Sequence, residues 1–230
     1  MKFFPYNFRK YQDEIVKFVE EAITKKEHVI LEAPTGIGKT IAVLAPSLEY
    51  AIENNLKVFY LTRTNSQQEQ VIKEAKLLRK NYQFGSVSLQ GRNNYCLLMM
   101  KEKIIDATPE EFALLCEKKK KDVENGKYDS CIFYNNYLEK GEELLNFGKR
   151  NVFTAQEFID RALEDEICAY EAIKNLTKDA SLIVMPYMYF FDPFIRSRLL
   201  DWSNTNLDEI ILIVDEAHNL PDFARSLRSL

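Results

Sequence analysis

The segment Ala33-Pro34-Thr35-Gly36-Ile37-Gly38-Lys39-Thr40 constrains this chain more than any other. Only seven glycines occur in 230 residues, and Gly36 and Gly38 both fall here. The run His28 to Glu32 before it reads as a short buried strand. A helix running towards Asn55 should follow, with Pro46 as a kink. Strand, glycine-bearing loop and helix, in that order, are the setting of a phosphate-binding loop. Glycine lets the chain turn without Cβ clashes, so the amides of Thr35, Gly36, Ile37 and Gly38 can face phosphate oxygens, and the helix start adds positive potential. Lys39 would reach the β- and γ-phosphates, and the Thr40 hydroxyl would ligate Mg²⁺. One position departs from the general pattern: its first glycine is Ala33 here.

A second segment completes such a site. Asp215-Glu216-Ala217-His218 follows the apolar run Ile210 to Val214. In an open parallel sheet, loops at the carboxyl ends of the strands gather around one ligand. Asp215 suits the Mg²⁺ shell, and Glu216 is placed to orient and deprotonate an attacking water.

The remaining pattern fits that architecture. Tyr11, Ile15, Phe18, Val19, Ala22 and Ile23 share one 3.6-period face, predicting a helix over Phe8 to Lys26. Lys57 to Leu61, Ser86 to Leu89 and Leu182 to Val184 read as strands. Ser66 with Glu69 three residues on is a capping-box pattern opening a helix that ends near Lys80. Strands alternating with helices predict a doubly wound α/β domain with a parallel sheet. Between Gly91 and Tyr170 no apolar strand occurs, so this block reads as an insertion.

Charge excludes one class outright. With 31 Lys+Arg against 35 Asp+Glu the net charge is −4, so no basic coat can grip nucleic acid; local groups and backbone amides must do so. Membrane insertion fits poorly too. The longest apolar run, Leu182 to Phe191, is about half the length a spanning helix needs. Arg9 and Lys10 cut short any signal-peptide core after Met1-Lys2-Phe3-Phe4-Pro5, which places the chain inside the cell.

The four cysteines, Cys96, Cys116, Cys131 and Cys168, all lie in the inserted block. A reducing compartment disfavours disulfides and leaves metal binding or simple burial. No Cys-x-x-Cys pair exists, so spacing alone favours buried free thiols over a metal site.

Taken together, several stretches resemble the XPD-type iron–sulfur DNA helicases of superfamily 2. They are the two site segments, Arg9-Lys10-Tyr11-Gln12, Tyr60-Leu61-Thr62-Arg63-Thr64-Asn65-Ser66-Gln67, Gly91-Arg92-Asn93-Asn94-Tyr95-Cys96, Cys168-Ala169-Tyr170-Glu171 and the continuation of the acidic segment through Asn219-Leu220. The resemblance implies a RecA-like P-loop domain whose parallel sheet is interrupted by a mostly helical 4Fe–4S domain. The first part of the lobe would span 1–90, the cluster domain 91–170, and the second part of the lobe 171–230.

The resemblance further implies ATP, Mg²⁺ and a 4Fe–4S cluster as cofactors, with Cys96, Cys116, Cys131 and Cys168 as the four thiolate ligands. Arg9 and Gln12 match positions that contact the nucleotide base, and His218 one that couples nucleotide state to the DNA face. Arg63, Thr64, Asn65 and Arg92 match DNA-contacting stretches; an arginine beside a capped helix start is also a sound phosphate contact on physical grounds. Two groups keep alternative readings. Lys118 to Lys121 line a DNA path or form a solvated helix face. Tyr187, Tyr189, Phe190 and Phe191 stack on bases or, as composition favours, pack in the core.

Twelve residues follow His218, too few for the arginine-bearing second lobe that such motors use, or for the lobe's later strands. The expectation is therefore the amino-terminal part of a 5′–3′ helicase of nucleotide excision repair, acting on single-stranded or forked DNA. Alone it should have negligible turnover, exposed apolar surface and a need for the remaining carboxyl-terminal portion. Two alternatives are an iron–sulfur single-strand DNA sensor that binds ATP without turnover, and a zinc-stabilised P-loop protein unrelated to DNA.

Overall fold

The computed structural model describes residues 4–81, 83–102 and 108–227. Four strands, β1 (Lys57–Thr62), β2 (Gly85–Ser88), β3 (Ala180–Pro186) and β4 (Ile210–Val214), form one parallel sheet in the order β2-β3-β1-β4. The two central strands are nearly continuous apolar runs, because a parallel sheet is covered on both faces. Side chains alternate between those faces. Val58, Tyr60, Leu182 and Val184 pack beneath α2 (Lys39–Glu53) and α3 (Asn65–Arg79). Phe59, Leu61, Ile183 and Met185 turn the other way, onto α7 (Ile132–Arg150), α8 (Ala155–Glu164) and α9 (Ala169–Leu176).

The remaining helices are α1 (Gln12–Lys25), α4 (Arg92–Tyr95), α5 (Leu97–Glu102), α6 (Pro109–Glu124), α10 (Met188–Phe191), α11 (Pro193–Ser203) and α12 (Leu220–Leu227). Among the described residues from 91 to 168 every regular element is helical. This stretch is not sealed off from the sheet: Phe133, Leu144, Phe153 and Phe158 share one core with Phe59 and Ile183. Phe153 and Phe158 stack with ring centroids 4.6 Å apart. Among the described residues no helix is long and apolar enough to cross a membrane. Met1 to Phe3, read above for an export signal, lie outside the described residues.

Several expectations need correction. His28 to Glu32 does not form a strand. Among the described residues β4 is bonded to β1 on one side and to no strand on the other, and this segment does not extend the sheet at that edge. Leu31 and Ala33 pack instead against the Ile15, Val16, Val19 and Ala42 cluster, while Ile30 is 97% exposed. Leu212 on β4 is a second exposed apolar side chain. The first helix starts at Gln12, not Phe8, because Tyr11 adopts a left-handed conformation at φ 67°. Tyr11 and Phe18 are exposed, and Val16 takes a place on the buried face. Helix α2 runs through Pro46 without a break. The cap of α3 is Thr64 with Gln67 rather than Ser66 with Glu69: the Thr64 hydroxyl accepts from the Gln67 amide at 3.3 Å, and Gln67 Oε1 accepts from the Thr64 amide at 3.0 Å.

Candidate nucleotide site and cysteine cavity

The loop before α2 is shaped by its glycines. Gly36 and Gly38 sit at φ 82° and 81°, where a Cβ is disfavoured. At Gly38 a Cβ would also meet Gln12 Nε2 at 2.5 Å. That contact exists because Gln12, only 2% exposed, donates to the Ile37 carbonyl at 3.0 Å and to the Gly38 carbonyl at 3.3 Å. Arg9 donates through its guanidinium to the Gly36 carbonyl and through its backbone to Gln12 Oε1. The structure thus places Arg9 and Gln12 as holders of the loop backbone. The Lys39 ammonium folds back on the same loop and donates to the Ala33 carbonyl at 2.7 Å.

The acidic segment lies at the carboxyl end of β4. Asp215 is tied to the sheet by its amide, which donates to the Leu61 carbonyl at 3.0 Å. Burial raises the Asp215 carboxyl above the usual aspartate range; neighbouring Glu216 adds to the rise, while the Glu216 amide and Lys39 oppose it. Burial also pushes the Tyr60 hydroxyl on β1 up, with Asp215 adding to the rise and a hydrogen bond with Thr40 opposing it.

Glu216 adopts a left-handed conformation at φ 52°. Its carbonyl accepts from the Tyr187 hydroxyl at 3.1 Å and from Asn219 Nδ2 at 3.0 Å, and its carboxylate lies 3.4 Å from His218 Nδ1. Tyr187 donates to the Asp215 carbonyl as well. The aromatic group after β3 is therefore packing with a polar tip. Tyr187 is 3% exposed, and its ring meets Phe191 and Phe223 edge-on. Tyr189 donates to the Gln90 carbonyl at 2.7 Å. Sequence reasoning missed Tyr187 and Asn219 as holders of this loop; the one available signal was a tyrosine directly following a strand parallel to the acidic one.

Of the residues matched to DNA contact, Arg63 and Asn65 are exposed at the start of α3, and the Thr64 hydroxyl is committed to the cap. Arg63 Nη1 donates to Asn219 Oδ1 at 3.0 Å. Arg92 lies elsewhere: its side chain is 18% exposed, donates to the Ala113 carbonyl at 3.0 Å and sits over the Tyr170 ring at 4.9 Å.

Arg92 belongs to a second site. Cys96, Cys116, Cys131 and Cys168 all line one cavity, with Arg92, Lys119 and Lys120 and apolar walls that include Leu97, Phe112 and Phe133. All four are free thiols. Burial pushes each of them up, Cys116 to about 11, with Arg92 opposing the rise at Cys116. Among the described residues, no three His, Cys, Asp or Glu side chains stand close enough to hold a single metal ion. The lysine run divides: Lys119 and Lys120 turn towards the cavity, while Lys118 and Lys121 stay exposed. Lys120 pairs with Glu171 at 3.1 Å, and Lys174 pairs with the same carboxylate at 2.9 Å.

A parallel sheet with loops gathered at its carboxyl edge, between two layers of helices, is a RecA-like α/β fold. A family model, DEAD_2, matches residues 60–230. This chain belongs to that family, the XPD-type helicases of superfamily 2, and corresponds to their amino-terminal portion. It is 28% identical, over 97% of its length, to a regulator of telomere elongation helicase 1 homolog of Caenorhabditis briggsae, covering 24% of that protein. It is also 28% identical, over 95% of its length, to the XPD helicase subunit of general transcription and DNA repair factor IIH of Arabidopsis thaliana, covering 30% of it. The chain thus spans a quarter to a third of these relatives. A solved XPD helicase structure shares the fold, with a TM-score of 0.63 and 22% identity over 93% of this chain and 33% of that one.

Proposed function

We propose that this chain is the ATP-binding motor lobe of a DNA helicase and carries a 4Fe–4S cluster. The observation that supports it most is the placing of the two segments on one strand: the loop with Gly36 and Gly38 at positive φ opens α2, whose Ile41 shares a core with Tyr60 on β1, and the Asp215 amide donates to the Leu61 carbonyl of the same strand. In this reading the loop amides and Lys39 hold the β- and γ-phosphates of ATP, and Glu216 takes a proton from the attacking water. Thr40 and Asp215 would hold Mg²⁺, which neutralises phosphate charge. The fit is good: two adjacent carboxylates, one raised by burial and like charge, gain from a divalent cation. Arg63 and Asn65 would meet the phosphate backbone of a single strand, with the amides at the start of α3 beside them.

The cysteine cavity fits an anionic cluster. Four thiols are the ligand count required, and three cations line the walls to offset its charge. A polynuclear cluster spreads its ligands farther apart than one zinc ion does, which suits sulfurs that share a cavity without single-ion spacing. When bound it supplies a cross-link among the helical segments and one-electron redox capacity. Arg92 then serves the cavity wall rather than DNA. Residues 91–170 would form the cluster domain, flanked by lobe segments 1–90 and 171–230. The 5′–3′ direction, excision repair and a carboxyl-terminal lobe donating an arginine are proposed on family resemblance. An arginine of that kind is worth about 10³–10⁵ in rate, so this chain alone should turn ATP over negligibly.

Three measurements test the reading. Hydrolysis should become DNA-stimulated when the second lobe is supplied; ATP binding with persistent inactivity would favour the sensor. Anaerobically purified protein should be brown and carry iron; colourless protein with stoichiometric zinc would favour the zinc-stabilised P-loop protein. Lys39→Ala should weaken ATP binding roughly a hundredfold with the fold retained.

A further inference from the structure

We propose that Asn219 is a positioning residue that transmits nucleic-acid occupancy of Arg63 to the acidic pair; this rests on the reading of the two sites given above. One side-chain amide spans the gap between them. Its oxygen accepts from Arg63 Nη1 at 3.0 Å, and its nitrogen donates to the Glu216 carbonyl at 3.0 Å. A guanidinium only donates and a carbonyl only accepts, so the two ends of the amide cannot be exchanged. The Asn219 nitrogen also lies 3.2 Å from His218 Nε2.

The receiving end is poised to respond. Glu216 is a non-glycine residue at φ 52°, a conformation that persists only while its surroundings hold it. Three donors hold its carbonyl, the Tyr187 hydroxyl, the Asn219 backbone amide at 2.9 Å and the Asn219 side-chain amide, and only the last connects to Arg63. The sending end is exposed, and its partner in the free chain is a neutral oxygen. A phosphate makes a charge-assisted bond about twice as strong as a neutral one, so a nucleic-acid backbone draws Arg63 off Asn219. The released side-chain amide then relaxes its hold on Glu216, and the acidic pair is freed to settle around the magnesium that accompanies a nucleotide. The free chain is the restrained state, and DNA relieves the restraint.

The 230-residue chain, a fluorescent ATP analogue with Mg²⁺ and a short oligothymidylate suffice for the test. Saturating oligonucleotide should tighten nucleotide binding about fivefold, the lower end of usual coupling strengths, and nucleotide should tighten oligonucleotide binding by the same factor. In Asn219→Ala the DNA-free nucleotide affinity should rise about fivefold and the coupling factor should fall to about one. Asn219→Asp, which keeps an acceptor for Arg63 but loses the donor to Glu216, should be uncoupled too and serves if the alanine variant folds poorly. Tyr187→Phe removes the other side-chain donor to the same carbonyl and should keep its coupling. Retained coupling in both Asn219 variants overturns the proposal. So does wild-type chain that binds both ligands independently, or loss of coupling in Tyr187→Phe as well, which marks a general loosening. Failure to bind either ligand sinks the underlying site assignment and the relay with it.

Discussion

The nucleotide site and the cysteine cavity are assembled by opposite means. Around Lys39 and Asp215 the side chains of Arg9, Gln12, Tyr187 and Asn219 all bond to loop carbonyls, so the site is a backbone shape held from outside. Around the cysteines, helices α4, α6, α7 and α9 converge through desolvated side chains, and the holding contacts are ionic: Lys120 and Lys174 on Glu171, Arg92 over Tyr170. The first can be complete before its ligand arrives. The second buries three cations beside four neutral thiols, and gains most from an anionic occupant. Preorganisation by backbone and preorganisation by charge should therefore fail differently.

The largest effect should come from Lys39→Ala. Losing charge-assisted bonds of about 1.5–3 kcal/mol each should weaken nucleotide binding roughly a hundredfold, read by fluorescence titration, with little change in melting temperature. Unchanged affinity would break the contrast at its first term. Next, Cys116→Ser should lose the cluster and loosen α6, measured as iron per chain and as proteolysis within α6. Nucleotide affinity should hold, because the loop does not depend on the cavity. Full iron retention would remove Cys116 as a ligand.

A smaller, pH-dependent effect should follow from Glu171→Gln. The partners keep 12–20% exposure, so leaving two lysines uncompensated should cost about 2–3 kcal/mol in melting experiments. Burial alone would raise the Glu171 carboxyl, but Lys174 and Lys120 hold it below the ordinary value of 4.5. A depressed carboxyl stabilises the fold at pH above its unfolded value and loses that contribution as pH falls through the folded one. The difference between wild type and variant should therefore be full at neutral pH and shrink below about pH 4.5. Gly38→Ala should be the mildest, about 1–3 kcal/mol for a strained residue, since the Gln12 side chain can shift from the added methyl.

The sequence was most legible where local pattern and tertiary role coincide. Strands β1 and β3 were apolar runs because their faces are covered, and Gly36 and Gly38 were visible because glycine suits those φ values. The convergence of Cys96, Cys116, Cys131 and Cys168 required the family resemblance, since their spacing carries no ligand pattern. What stayed hidden was set by distant partners. His28 to Glu32 has the composition of a strand, but Leu31 packs against the Ile15, Val16 and Val19 face of α1 and the segment does not join the sheet. Tyr187 and Asn219 act on a carbonyl 29 residues later and three residues earlier, and such bonds leave no periodicity. The split of Lys118 to Lys121 depends on which side of α6 meets the cavity, which charge alone does not encode.

The account turns on one triphosphate bridging Lys39 and Asp215 through its magnesium, and titrating a fluorescent ATP analogue into wild type and Asp215→Asn, with and without Mg²⁺, tests that bridge directly. Wild type should bind tightly only with Mg²⁺, and the variant should bind weakly and equally in both conditions. Equal, Mg²⁺-dependent affinity in the two proteins would contradict it.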